Sequence, residues 1–229
     1  MILGERLRTV AELVGDFRRI ADIGSDHAYL PVWLVLHGKA DFVIAGEIQR
    51  GPLEAARRTI SEMALEDCIE VRLGDGLAVV RPGEIDAVVI AGMGGATIRG
   101  ILERSSRVVD NLSRIVCQPM TGAAGLRRWL MDHGWLIDAE ELVSEDGRLY
   151  EIFAAKPGSV ALPDELLLEV GPLLWKNRHP LLLDHIDRLL QQYKSRVDAM
   201  QHSGAPAVAA QKQLWQQRIT ELEGMRTCL

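Results

Sequence analysis

The chain has no run of apolar residues long enough to span a bilayer, and its opening Met1-Ile-Leu-Gly-Glu-Arg carries no signal-peptide pattern. A cytoplasmic protein with no membrane partner is therefore expected. Cysteine is scarce: Cys68, Cys117 and Cys228 are odd in number and far apart. They form no CxxC pair, so neither a zinc site nor a disulfide framework is indicated, and no metal is expected. Positive charge is also short. The net charge is −6, where a nucleic-acid binder usually carries a basic footprint. This weighs only lightly, because a local arginine patch can coexist with an acidic whole.

What remains suits a globular enzyme. At 229 residues, with 48% hydrophobic and 25% charged side chains, the chain can hold one α/β domain and a smaller appendage. Its organising stretch is Ile20-Ala-Asp-Ile-Gly-Ser-Asp-His-Ala-Tyr-Leu-Pro31. A short apolar strand runs into Gly24, then a polar turn, then the apolar run 29–36 of a helix. This is the first βα unit of a nucleotide-binding sheet. It is not the dinucleotide fingerprint, because Ser25, His27 and Tyr29 stand where further glycines belong.

The units that follow repeat the pattern. Residues 2–14 place Leu3, Leu7, Val10 and Leu13 at helical spacing. A second strand, 42–47, ends in Glu47, and Gly51-Pro52 opens the next helix. Strand 69–73 delivers Gly74-Asp75-Gly76. Strand 85–91 is almost wholly apolar, as for a central strand buried on both faces, and stops at Gly92-Met93-Gly94-Gly95. A helix is expected over about 97–103, a fifth strand over 114–119 and a helix over 125–133. Residues 135–143 and 149–155 read as an antiparallel hairpin, with Asp-Gly in its connection. The expected division is 1–158 for the α/β domain and 159–229 for a helical one. There Leu182, Ile186, Leu189, Tyr193, Val197 and Met200 step by three and four. Gly204 and Pro206 break the stripe, and Val208, Trp215, Ile219 and Leu222 resume it. That is an antiparallel, coiled-coil-like hairpin. Beyond residue 158 eight basic residues balance eight acidic ones, so the negative charge sits on the first domain.

A Rossmann-like, seven-stranded doubly wound α/β sheet results, and such sheets bind ligands at the carboxyl ends of their strands. The polar punctuation all falls at those ends. An acid closing the second strand suits two ribose hydroxyls, and one after the third suits an adenine amino group. Each residue also has a plainer reading. Asp22-x-Gly24 can be a simple turn, Glu47 a helix cap, His27 a satisfied helix start, Tyr29 half core, and Gly94-Gly95 a helix entry.

Residues 21–31, Ala45-Gly-Glu47, Gly51-Pro52, Gly74-Asp-Gly76, Ile90-Ala-Gly-Met-Gly-Gly95, Gln118-Pro119, Glu145-Asp-Gly147 and Tyr150-Glu151 together resemble a class I S-adenosylmethionine-dependent methyltransferase. More specifically, they resemble the bacterial family that methylates N1 of adenine 22 in tRNA. The resemblance implies S-adenosyl-L-methionine as cofactor, tRNA as partner and a monomer. Carried onto this chain, it implies cofactor contacts from Arg6, Asp22, Gly24, Ser25, Glu47, Ile48, Asp75, Gly76, Ala91, Gly92 and Met93. Substrate contacts would come from Gly94, Gln118 and Pro119. Asp26 would be the catalytic acceptor, with His27 and Tyr29 shaping the pocket.

The residues agree with that chemistry. Amine-alkylating enzymes carry Asn/Asp-Pro-Pro-aromatic after the fourth strand, and Ala91-Gly92-Met93-Gly94 lacks that acceptor. A thiolate mechanism needs a cysteine at the pocket, whereas Cys117 lies inside a strand. N1 of adenine already has a lone pair and needs neither device. RNA phosphates would meet arginines, the candidates being Arg6, Arg8, Arg18, Arg19, Arg99, Arg104, Arg127 and Arg128. A small-molecule methyltransferase and a non-catalytic cofactor-binding scaffold remain as alternatives.

Overall fold

A computed structural model describes residues 1–200 and 206–229. Helix α1 (Glu5–Val14) buries Val10, Ala11 and Val14. Then β1 (Arg19–Ile23), α2 (Tyr29–Leu36), β2 (Phe42–Glu47), α3 (Arg50–Glu62) and β3 (Ile69–Leu73) alternate, followed by a single 3₁₀ turn, Gly76–Val79. After it come β4 (Ala87–Gly94), α4 (Gly95–Arg104), α5 (Ser106–Val109), β5 (Arg114–Thr121) and α6 (Ala123–Asp132). The edge is formed by β6 (Trp135–Glu145) and β7 (Arg148–Pro157). Strand order is β3-β2-β1-β4-β5-β7-β6, with β7 antiparallel to both neighbours. The order reverses at β1, which pairs with β2 on one side and β4 on the other. That reversal opens a crevice at the carboxyl ends of these strands.

Several boundaries differ from the sequence reading. Strand β4 does not stop at residue 91. Because β5 also runs on to Thr121, Met93 finds Pro119 and Gly94 finds Thr121, through two register shifts. Helix α4 therefore starts at Gly95, not near residue 97. At Gly95 a Cβ would lie 2.5 Å from the Gly122 carbonyl oxygen, so only glycine allows this approach. The hairpin is tighter than a five-residue connection. Asp146 and Gly147 take φ of 51° and 71°, and Glu145 pairs with Arg148, a two-residue turn whose twist matches its strands. Helix α6 begins at Ala123 rather than at residue 125, and the short α5 has no apolar period to announce it.

Two compact units emerge, Met1–Leu162 and Pro163–Leu229. In the second, Asp164 caps α7 (Glu165–Val170), accepting from the Leu167 N–H at 2.7 Å, and α8 (Pro172–Lys176) follows. Helices α9 (Leu182–Ala199) and α10 (Pro206–Thr227) are antiparallel. Arg226 meets Asp187 at 2.6 Å and Lys194 meets Glu223 at 2.8 Å. The buried face of α9 is Leu182, His185, Ile186, Leu190 and Tyr193. Leu190, four residues beyond Ile186, is buried where Leu189 is only half-buried, and His185 Nδ1 lies 3.0 Å from Arg188. Leu222 of α10 is fully buried. Gly204, expected to break the pattern, lies outside the described residues, whereas Pro206 opens α10 instead of breaking it. Among the described residues no helix is long and apolar enough to cross a membrane.

Candidate active site

The turn leaving β1 is built against backbone preference. Gly24, Asp26 and Ala28 take φ of 78°, 53° and 57°, a region costly for residues with a Cβ. Backbone bonds hold the turn in place: the Gly24 N–H donates to Gly46 O of the neighbouring strand at 2.9 Å, and the Ala28 N–H to Ser25 O at 2.9 Å. Two buried carboxylates brace the turn from below. Ser25 Oγ donates to Asp22 at 2.7 Å, and the Asp26 backbone N–H donates to Glu47. Burial pushes the Asp22 carboxyl up to about 7, opposed by the Ser25 hydrogen bond and assisted by the neighbouring charge of Glu47. Burial likewise holds Glu47 above the usual carboxylate range, against the Asp26 amide that favours its charged form.

Two cavities meet at Gly24. One, of about 360 Å³, is walled by Arg6, Asp22, Ser25, Asp26, His27 and Tyr29, with Ala91 and Gly92 opposite. The other, of about 140 Å³, is a mostly apolar slot between Ile23, Ile48, Met93 and Ile101, with Asp75 and Gly76 at its side. A Cβ added at Gly24 would collide with the Met93 methyl, so bare backbone is what lets the Met93 tip lie at the junction. Asp75 is exposed and pairs with Arg104 at 3.5 Å.

The chemistry-bearing side chains stand at the open end of the larger cavity. The Asp26 carboxylate is 71% exposed, with His27 Nε2 3.8 Å away. The rings of His27 and Tyr29 stack at 5.2 Å and 12°. Tyr29, weighed as half core, is 45% exposed. Gly94, Gln118 and Pro119 line neither cavity. Gln118 is fully buried, and its side-chain oxygen accepts from Arg6 Nη1 at 2.8 Å and from the Gly92 N–H at 3.2 Å. It thus ties α1 to the end of β4. Glu145 and Tyr150 complete the hold on Arg6. Glu145 accepts the Arg6 backbone N–H at 3.2 Å, and the guanidinium lies 5.4 Å from the Tyr150 ring centre. The sequence signals these two only as matching motifs without a role.

Several arginines proposed for RNA are otherwise engaged. Arg127 is fully buried, paired with Glu140 at 2.6 Å and Glu151 at 3.0 Å, and so belongs to the core. Arg18 pairs with Asp41, and Arg19 donates to Glu84 O at 2.8 Å, both at the amino end of β1, away from the cleft. Burial drives the Cys117 thiol far above its ordinary value, which removes it as a nucleophile. Among the described residues no cluster could hold a metal ion.

A β3-β2-β1-β4-β5-β7-β6 sheet, with acids at or just past the ends of β1, β2 and β3 around a glycine turn, defines a class I methyltransferase. Within that class, the family model for tRNA (adenine(22)-N(1))-methyltransferase matches residues 20–224, and the chain belongs to this family. It is 40% identical over 200 residues to the tRNA (adenine(22)-N(1))-methyltransferase of Bacillus subtilis (strain 168), covering 84% of this chain and 83% of that one. The crystal structure of the B. subtilis m1A22 tRNA methyltransferase TrmK is similar with a TM-score of 0.89 at 36% identity, over 98% of this chain and 99% of that one. A Streptococcus pneumoniae protein in complex with S-adenosyl-L-methionine gives 0.84 at 32% identity, over 98% and 100% of the two chains.

Proposed function

We propose that this chain transfers the methyl group of S-adenosylmethionine to N1 of adenine 22 in tRNA, and does so across the two cavities that meet at Gly24. The carrying observation is the pair of buried carboxylates, Asp22 and Glu47, beneath a turn that presents Asp26 and the His27–Tyr29 stack outward. The residues present fit the cofactor. The apolar slot between Ile48 and Met93 suits a purine, with Asp75 beside it to accept from the amino group. Glu47 has lone pairs left for two ribose hydroxyls after accepting from Asp26. Arg6 and Asp22 supply a cation and an anion for the zwitterionic methionyl end.

When bound, S-adenosylmethionine supplies an electrophilic methyl group on a sulfonium sulfur. N1 lies on the pairing edge of adenine, so the base must leave its stack, and the exposed His27–Tyr29 pair offers a platform to receive it. The N1 lone pair forms the new bond to carbon while the departing electron pair stays on sulfur. As that bond forms and positive charge builds on the ring, Asp26 accepts the N6 proton in the same step. Most of the acceleration is positioning and electrostatics. We further propose that residues 1–158 carry this chemistry and 159–229 the helical domain, and that the enzyme is a cytoplasmic monomer without a resident metal.

Asp26→Asn tests the assignment. Asn keeps the size but cannot take the proton, so single-turnover methylation of one tRNA transcript should slow by about 10²–10⁴, the usual contribution of a general base. Cofactor affinity and melting temperature should stay near the parent's. A rate within a few-fold of the parent removes Asp26 from the mechanism.

A further inference from the structure

We infer that Glu47 is the positioning residue for Asp26: by accepting the Asp26 backbone N–H it fixes the backbone from which the proton-accepting carboxylate projects. The inference rests on the role proposed above for Asp26. It begins with how little else holds that side chain. The carboxylate is 71% exposed, with His27 Nε2 3.8 Å away and the like charge of Glu47 acting on it from below. What the fold fixes is the backbone beneath it, which sets the Cα–Cβ direction from which the carboxylate projects. That backbone sits at φ 53°, which aspartate tolerates better than most residues but does not prefer.

The other bonds of the turn go elsewhere. The Gly24 and Ser25 N–H groups donate to Gly46 O, the Ala28 N–H donates to Ser25 O, and the Ser25 hydroxyl donates to Asp22. The peptide of Asp26 itself is tied down by Glu47, which reaches it from the end of the adjacent strand β2. Glu47 is buried and raised above its ordinary titration range, so a bond from an amide to its charged form is strengthened by poor solvation. One side chain thus faces both the ribose hydroxyls and the catalytic turn. Two oxygens with about four lone-pair sites can serve both at once. Cofactor binding and placement of the proton acceptor converge on Glu47.

The test uses the full chain and separates binding from rate. Glu47→Ala removes both bonds, whereas Glu47→Gln keeps an acceptor oxygen for the Asp26 amide. In the cofactor-free protein, hydrogen exchange at the Asp26 amide should speed up by about 10-fold or more in E47A and by no more than a few-fold in E47Q. At saturating cofactor, single-turnover methylation should fall by about 10-fold or more in E47A, because a misplaced acceptor costs rate and not affinity. E47Q, which keeps the acceptor oxygen, should recover most of the rate that E47A loses, whatever it costs in cofactor affinity. In a D26N background, E47A should add almost nothing. An E47A rate equal to the parent's at saturation, while D26N is slow, overturns the inference and leaves Asp26 in place. Equal losses from E47A in both backgrounds, or unchanged exchange at the Asp26 amide, also overturn it. If D26N alone is as fast as the parent, the Asp26 reading fails and this one falls with it. Should E47A not fold, Glu47→Asp, one methylene too short to reach, is judged by the same two readouts.

Discussion

Asp22 should make the cofactor-free protein less stable as pH rises. Its carboxyl is buried with one hydrogen bond, from Ser25, and titrates at about 7 in the folded chain against a reference of 3.8. The folded state therefore holds a proton between about pH 4 and pH 7 that the unfolded state has released. Stability falls where the native state binds more protons as pH rises, so it declines across that window and levels off above it. Three pKa units at about 1.4 kcal/mol each set a ceiling near 4 kcal/mol. Asp22→Asn, neutral at every pH and of the same size, should escape the decline. Urea unfolding of both proteins without cofactor at pH 5, 6, 7 and 8 reads the effect. The stability difference should move in favour of D22N by about 2–3 kcal/mol between pH 5 and pH 8, while D22N binds cofactor more weakly. A difference that does not change with pH, or that moves against D22N, would refute the reasoning.

Two further outcomes follow from the geometry. Gly24→Ala puts a Cβ at φ 78° and against Met93; it should cost about 1–2 kcal/mol in stability and more than about 10-fold in cofactor affinity measured by calorimetry, since backbone approach is lost. Arg127→Ala leaves Glu140 and Glu151 without their buried partner; thermal and urea unfolding should show a loss of about 3–5 kcal/mol, with the salt dependence of tRNA binding unchanged in whatever protein remains folded.

The fold was legible where composition alone decides structure. The apolar run 42–47 and the alternating segment 69–73 form strands that begin and end as read. The ends of β4 and β5 were not legible, because Met93 and Gly94 become strand only through partners on β5. Glycines suggest a stop, and long-range pairing overrides them. The acids of the site could be placed from strand ends alone: Asp22, Glu47 and Asp75 border the two cavities or support their walls. What sequence could not distinguish was burial among like residues. Arg127 and Arg128 are adjacent on one helix, yet Arg127 is fully buried because Glu140 and Glu151 from the hairpin meet it. Nor does a sequence reveal that Gln118 lies behind the cavity rather than in its wall, since that follows from Arg6 and Gly92 both claiming its oxygen.

The central claim is methyl transfer to one nitrogen of one tRNA base, and labelled S-adenosylmethionine incubated with an unmodified tRNA transcript tests it directly. Nucleoside analysis of the product, with primer extension to map the position, should find N1-methyladenosine at position 22. A transcript with guanine in place of adenine 22 should take up no label. Label in another nucleoside, at another position, or undiminished in the substituted transcript would contradict the account.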